Sequence, residues 1–253
     1  GASQSIRDAI LVGLNNRDPQ FHAVHRLNLP TGALELVFEN HGYSGFVADD
    51  TLTLRMAMRQ NEAGGTDYFR MAEGVVDAEP FETTAMEDAL TTSPAGYSHD
   101  GSILYWLDSR DRDTAALFAQ DTKTGARTLI AQDERADVNN TLSDKKTGEV
   151  IAYSANYLKT EWTAIDPGIK TALEWLDARL EGQFGINSRT DDDQTWIVWN
   201  DPVTAPSQTF IYDRVAETLT PSYVTRPELN GAPLQPRLPI EITARDGLTL
   251  PSY

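Results

Sequence analysis

The sequence places a serine, a histidine and an aspartate side by side at Ser98, His99 and Asp100. These are the residue types of a serine-hydrolase triad, in which an imidazole accepts the serine proton and a carboxylate orients the imidazole. Gly101 follows, and because glycine tolerates a positive φ, Asp100-Gly101 predicts a tight turn between two strands. Consecutive residues on an extended strand point to opposite faces. We therefore interpret this stretch as a turn and not as a triad.

The histidines do not have the spacing of metal ligands. His22 and His25 lie three positions apart on a predicted strand, where they point to opposite faces, and the set is completed by His41 and His99. We predict no metal site and no other cofactor.

Three aspartates, Asp108, Asp111 and Asp113, are grouped as in a calcium-binding loop. Such a loop needs glycine at its sixth position and a bidentate glutamate at its twelfth, and this sequence has neither. We interpret these aspartates as a solvated loop, and the run of three aspartates at 191–193 as a solvated turn.

Composition narrows the class of protein and of partner. The chain has 253 residues and a formal net charge of −17 at pH 7, so we expect neither nucleic acid nor an anionic membrane as partner. The absence of cysteine excludes disulfides and thiolate chemistry. The compartment stays open between bacterial cytoplasm and periplasm. We interpret the Gly-Ala-Ser start as added residues in place of the natural N-terminus.

The sequence repeats itself. A shift of 93 positions, without a gap, aligns hydrophobic and turn residues in the same order. The aligned residues are Ile10 with Ile103, Leu11 with Leu104, Leu14 with Leu107, Arg17-Asp18 with Arg110-Asp111, Thr31-Gly32 with Thr124-Gly125, and Leu36-Val37 with Leu129-Ile130.

Half of this spacing is the length of one propeller blade. Four predicted turns lie 45 to 51 residues apart, and each precedes a strand-like apolar run: "TLTLRMAM", "SILYWL", "EVIAYSA" and "QTWIVW". A period in the mid-forties with four short strands per unit is typical of a β-propeller. The sequence therefore predicts an all-β chain of four-stranded antiparallel blades.

One helix interrupts this pattern. Asp166 is a good N-cap, Pro167 fits the first helical position, and Gly182 can supply a stop, so the spacing predicts a helix over residues 167–181 within one blade. The turns predict about four to five blades, the first without its first strand. We expect an incomplete propeller, whose exposed strand edges permit self-association.

Three stretches carry a family resemblance. The turn "YSHDGSILYW" resembles the Ser-Pro-Asp-Gly turn of propellers in prolyl oligopeptidase-family serine peptidases, with His99 in place of proline. "LPIEITARDGLTLPSY" resembles the segment by which that family's chain leaves the propeller, and Arg245 to Leu248, Leu250 and Tyr253 match it. The stretch "NNRDPQFHAVHRLNLPTGALELVFEN" resembles the blades of bacterial acylaminoacyl-peptidases and dipeptidyl-aminopeptidases.

The resemblance implies a partial propeller over residues 1–235, and a linker with the first residues of an α/β-hydrolase domain over 236–253. It implies a Ser-Asp-His triad in that hydrolase domain, beside a propeller that caps the active site and admits short peptides. The expected partners are the hydrolase domain and a peptide substrate. The chain contains no nucleophile elbow, so we assign it no catalytic residue and expect it to be inactive alone.

Two Arg-Asp pairs are the candidate binding residues. Arg17-Asp18 and Arg110-Asp111 recur at the repeat spacing, and each follows the second strand of a predicted blade. They are interpreted either as local ion pairs that fix their loops or as contacts to the hydrolase domain or a peptide terminus.

A stand-alone propeller that serves as a protein-interaction scaffold is the alternative function. A metal-dependent propeller enzyme such as a lactonase lacks its ligands here.

Overall fold

A computed structural model describes residues 2–252. The chain divides into two compact units, Gly1–Asp137 with Lys146–Glu149, and Val138–Lys145 with Val150–Tyr253. Each unit consists of small antiparallel sheets in which consecutive strands pair with each other. The helices among the described residues are too short or too polar to cross a bilayer.

The first unit contains three sheets. The first sheet is formed by β1 (Ala9–Leu14), β2 (Ala23–Asn28) and β3 (Leu34–Phe38). The second is formed by β4 (Gly45–Ala48), β5 (Leu54–Gln60) and β6 (Thr66–Ala72), with β7 (Val75–Val76) and β8 (Glu82–Thr84) both pairing with β6. A 3-10 turn at Met86–Asp88 leads to the third, formed by β9 (Ser93–Tyr97), β10 (Ile103–Asp108), β11 (Ala116–Asp121) and β12 (Arg127–Ala131).

The second unit contains a three-stranded sheet, a four-stranded sheet, a helix and a hairpin. Its first sheet is formed by β13 (Val138–Ser143), β14 (Val150–Asn156) and β15 (Thr160–Ala164), followed by α1 (Pro167–Asp177). Its second is formed by β16 (Gln183–Arg189), β17 (Thr195–Asp201), β18 (Gln208–Asp213) and β19 (Thr218–Val224). A 3-10 turn at Pro227–Leu229 and a hairpin of β20 (Ile240–Thr243) and β21 (Thr249–Ser252) follow.

These sheets confirm the fold expected from the repeat. Five successive sheets of three to five strands are the blades of a β-propeller, and the chain is otherwise all-β apart from α1. Each of the four apolar runs forms the second strand of its sheet: β5, β10, β14 and β17. The first sheet has three strands and begins with β1, as the repeat predicts.

The second strands contribute the largest core side chains. They lie inside their sheets, and their side chains alternate between two faces that both pack against neighbouring residues. Met56 of β5 and Trp106 of β10 lie in one cluster with Tyr68 and Leu104. In the second unit, Trp196 of β17 packs with one face of α1 in a larger cluster. Trp106 and Trp196 are both fully buried.

The helix begins where it is predicted and ends earlier. Asp166 accepts a hydrogen bond from the Gly168 N–H at 2.6 Å, which is the predicted cap. The helix ends at Asp177, four residues before the predicted end, and residues 179 and 180 turn back onto the Leu176 carbonyl. Gly182 has a different role. Its φ is +81°, and a Cβ there would lie 2.1 Å from the Asp201 carbonyl oxygen, so close packing of two strands requires the glycine.

The end of the chain is a hairpin. Ile242 pairs with Leu250, and both are exposed together with Ile240 and Leu248, so one face of this hairpin is apolar and uncovered. Tyr253, which is predicted to match the segment that leaves the propeller, lies outside the described residues.

Candidate interface at the loops after the second strands

The loop between β10 and β11 is fixed by a buried carboxylate at its start. Asp108 ends β10 and is 4% exposed. Its Oδ1 accepts hydrogen bonds from the Arg110 backbone N–H at 3.0 Å and from Arg110 Nε at 2.9 Å. Its Oδ2 lies 2.6 Å from Arg110 Nη2 and 2.5 Å from Arg127 Nη1. Asp108 is therefore held between two guanidinium groups, and its interpretation as part of a solvated loop is wrong.

A second carboxylate closes this cluster. Glu82 of β8 accepts hydrogen bonds from Arg110 Nη1 at 2.5 Å and from Arg127 Nη2 at 2.8 Å. The Arg127 guanidinium also lies 5.1 Å from the ring centroid of Trp106. We call Glu82, Asp108, Arg110 and Arg127 the ion-pair cluster. Its two positive and two negative charges neutralise each other, and it joins the second sheet to the third.

The cluster shifts the pKa values of its members in the directions expected of paired charges. Burial raises the pKa of Asp108, but hydrogen bonds and the charges of Arg110 and Arg127 outweigh burial, so the pKa lies below its ordinary value. The hydrogen bond to Asp108 raises the pKa of Arg110. Both groups stay charged at neutral pH.

Each candidate arginine forms an ion pair, but with an acid other than its neighbour in sequence. Arg110 pairs with Asp108 and Glu82, whereas Asp111 has a φ of +57° and is exposed in the loop. Arg17 lies 3.1 Å from Glu39. Asp18 accepts a hydrogen bond from the Gln20 N–H at 2.8 Å, which closes the β1–β2 loop.

Both loops lie at the same end of the strands in their sheets. They follow β1 and β10, the equivalent strands of the 93-residue repeat, and residues 15–22 and 109–115 form them. We call them the second-strand loops. Arg17 and Asp111 are exposed there, whereas Arg110 is engaged in the ion-pair cluster.

A related carboxylate lies in the second unit. Asp193 pairs with Arg189 at 2.7 Å and with Arg214 at 2.5 Å, and it accepts a hydrogen bond from Trp196 Nε1 at 3.1 Å. The solvated turn expected at residues 191–193 is therefore wrong for Asp193. Asp192 is exposed and accepts hydrogen bonds from the turn backbone and from Thr190.

The serine, histidine and aspartate of the opening stretch form the predicted turn. Ser98 Oγ donates a hydrogen bond to Asp100 at 2.7 Å, while His99 Nδ1 lies 3.0 Å from the Lys146 carbonyl oxygen. Hydrogen bonds from Ser98 and Ser102 lower the pKa of Asp100 to about 2. The imidazole therefore does not contact the Ser98 hydroxyl, and among residues 2–252 no group of three acidic or histidine side chains could hold a metal.

Solved structures confirm the class of fold. A puromycin-hydrolysing peptidase of Mycobacterium tuberculosis matches 99% of this chain with a TM-score of 0.59 at 10% sequence identity, and the chain covers 41% of it. Prolyl oligopeptidase B of Galerina marginata matches 96% of the chain with a TM-score of 0.56 at 10% identity, and the chain covers 36% of it. The chain is thus a β-propeller of the kind found in these peptidases.

Sequence comparison finds two relatives that are named as dipeptidyl peptidases. No protein-family model matches the chain. The chain is 46% identical over its whole length to dipeptidyl aminopeptidase BIII of Pseudoxanthomonas mexicana and covers 37% of that protein. It is 24% identical over 98% of its length to dipeptidyl peptidase family member 6 of Caenorhabditis elegans and covers 35% of it. In sequence the chain is therefore similar to part of two dipeptidyl peptidases, and in fold it is similar to part of a prolyl oligopeptidase, as the resemblance implies. It spans little more than a third of these relatives.

Proposed function

We propose that this chain is the non-catalytic propeller of a serine peptidase, where it covers the active site and restricts access to short peptides. The observation that carries the proposal is the 46% identity over the whole chain to a protein named as a dipeptidyl aminopeptidase. In the complete protein a serine of the hydrolase domain would attack the peptide carbonyl, the C–N bond would break and the protonated amine fragment would leave. Water would then hydrolyse the acyl-serine ester.

The hairpin of β20 and β21 supports the proposed boundary between residues 1–235 and 236–253. Its four exposed aliphatic side chains, Ile240, Ile242, Leu248 and Leu250, share one face. An exposed apolar face of this kind is typical of a contact surface. We therefore place this hairpin at the start of the hydrolase domain, where further strands of that domain would cover it.

The second-strand loops are the surface that we propose for docking against the hydrolase domain. Arg17 and Asp111 can reach another surface, because Arg17 keeps half of its side chain exposed beside Glu39 and Asp111 lies exposed in its loop. Arg110 is engaged by Asp108 and Glu82 and would act by holding its loop in place. Exposed charges of this type contribute more to orientation and partner choice than to stability.

Charge reversal tests the docking proposal. In the natural full-length protein, Arg17→Glu and Asp111→Lys should change the free energy of unfolding by less than about 1 kcal/mol, because both side chains are exposed. We expect each to raise cleavage of an unfolded protein several-fold relative to cleavage of a dipeptidyl-p-nitroanilide. The matched control is Lys123→Glu, since Lys123 is exposed in the β11–β12 turn, at the opposite end of the strands.

Two outcomes of these experiments would contradict the proposed function. If both reversals leave the cleavage ratio at the value of the Lys123→Glu control, the second-strand loops do not dock the hydrolase domain. If the full-length protein lacks peptidase activity altogether, an interaction scaffold is the remaining function.

A further inference from the structure

A cleft opens between the second and third sheets of the first unit, at the end of the strands opposite the second-strand loops. Its volume is about 580 Å³, which is within the range of small-ligand sites. Arg55 of β5 and Arg70 of β6 line it from one sheet, and Tyr97 of β9 lines it from the next.

Arg70 contributes a positively charged guanidinium group to the cleft. Its guanidinium lies 4.4 Å from the ring centroid of Phe81, which orients it by a cation–π contact. Within residues 2–252, no carboxylate lies within ion-pair distance of this guanidinium. Arg55 is partly engaged, because its Nη1 lies 2.9 Å from Asp49, and its guanidinium lies 5.7 Å from the ring centroid of Tyr97.

Tyr97 contributes a neutral hydroxyl. Burial raises its pKa to about 12, although the charges of Arg55 and Arg70 lower it. The hydroxyl therefore remains protonated and can donate a hydrogen bond. None of the described side chains or backbone carbonyls accepts from it.

The carboxylates of the cleft divide into two kinds. Asp49 accepts hydrogen bonds from the Thr51 N–H and from Arg55, and Asp121 accepts from two N–H groups of the β11–β12 turn. The hydrogen bonds of these two carboxylates stabilise the fold, so we do not assign them to ligand binding. Glu73 and Asp77 border the cleft beside β7 and face the same space as Arg70. The cleft is thus lined both by hydrogen-bond donors and by two carboxylates for which none of the described residues provides an ion pair.

We propose that this cleft binds a carboxylate carried by a peptide, with Arg70 and Tyr97 donating to the carboxylate oxygens and Arg55 adding positive charge. Guanidinium and hydroxyl donors that line the same cleft are groups that can bind a carboxylate. Glu73 and Asp77 would accept hydrogen bonds from peptide N–H groups. The inference rests on the proposed role in handling peptides and extends it by a binding site on the propeller itself. The carboxylate is either the peptide C-terminus or an acidic side chain.

Isothermal titration calorimetry on this 253-residue chain distinguishes the two sources. The probes are Ala-Ala-Ala with a free carboxylate, its C-terminal amide, and the amides Ala-Glu-Ala and Ala-Gln-Ala. Recognition of the C-terminus predicts that the free acid binds about tenfold more tightly than its amide. Recognition of a side chain predicts the same ratio for the glutamate amide over the glutamine amide. Equal affinity within both pairs would overturn the proposal.

Variants assign the contact. Arg70→Gln should weaken the carboxylate-dependent binding about tenfold and Tyr97→Phe about threefold. Arg70→Lys should retain only part of the binding, because lysine keeps the charge but not the planar, stacked guanidinium. Arg59→Gln is the matched control, because Arg59 lies on the same sheet, also stacks on an aromatic ring, at 4.7 Å from Phe69, and lies outside the cleft. Equal loss in Arg59→Gln and Arg70→Gln, or no loss in Arg70→Gln, would contradict the assignment. Binding is measured without catalysis, so failure here leaves the proposed peptidase function standing.

Discussion

Replacing Asp108 by alanine should lower the free energy of unfolding by about 3 kcal/mol, the cost of leaving two largely buried cations with one counter-ion fewer. Asp108 is 4% exposed and contacts Arg110 at 2.6 Å and Arg127 at 2.5 Å. Without it, both guanidinium groups depend on Glu82 alone. Urea denaturation followed by circular dichroism measures the change.

Asp113→Ala is the control for this experiment. Asp113 lies five residues further along the same loop, is exposed, and should change the free energy of unfolding by less than about 0.5 kcal/mol. A loss below about 1 kcal/mol in Asp108→Ala would mean that the ion-pair cluster does not hold the second and third sheets together.

The same cluster predicts how stability depends on pH. The pKa of Asp108 is lower in the folded chain than its ordinary value of 3.8, so the folded state binds this proton less readily than the unfolded state. Its stabilising contribution is therefore complete above the unfolded pKa and is lost as the pH falls through the folded pKa. Between pH 5 and about pH 2 we expect Asp108→Asn to lose less stability than the unaltered chain.

Replacing Trp196 by alanine should lower the free energy of unfolding by about 3 to 5 kcal/mol, the range for truncation of a buried large aromatic side chain. Trp196 is fully buried and lies edge-on to Tyr212, with ring centroids 5.6 Å apart. Its Nε1 donates to Asp193, and the Arg214 guanidinium lies 4.9 Å from its ring. The substitution therefore removes packing and a hydrogen bond together.

Trp199 of the same strand provides the matched control. It lies three residues further along β17, is 36% exposed, and should cost only about 1 to 2 kcal/mol when replaced by alanine, because part of its ring is already in solvent. Thermal unfolding of the two variants compares them directly. If both variants lost the same free energy of unfolding, positions 196 and 199 would be equally buried. That result would contradict the assignment of β17 as an inner strand with alternating buried and exposed positions.

The sequence was sufficient wherever the determining interactions are local. Asp100-Gly101 followed by an apolar run predicted the turn before β10, because the turn depends on one aspartate side chain and one glycine with φ of +69°. The start of α1 was equally local, since Asp166 caps the adjacent Gly168 N–H. The length of one blade could be inferred from half of the 93-residue repeat, because each half contains its own set of predicted strands.

Interactions between distant residues could not be predicted. Glu82 and Arg127 are 45 residues apart, and only the pairing of strands in two sheets brings them to Asp108. The end of α1 was misplaced because Gly182 was interpreted as a helix stop, whereas its conformation is required by its contact with Asp201. Asp193 appeared as one of three solvated aspartates because its arginine partner at position 214 lies on another turn.

The most direct test of the account is the substrate size dependence of the natural full-length protein. We predict that it cleaves dipeptidyl-p-nitroanilides and short peptides, and that kcat/KM falls at least about tenfold for an unfolded protein that carries the same terminal residues. A fall of this size corresponds to about 1.4 kcal/mol or more in activation free energy. Equal kcat/KM for the short peptide and the unfolded protein would contradict the assignment of this chain as a propeller that restricts access to an active site.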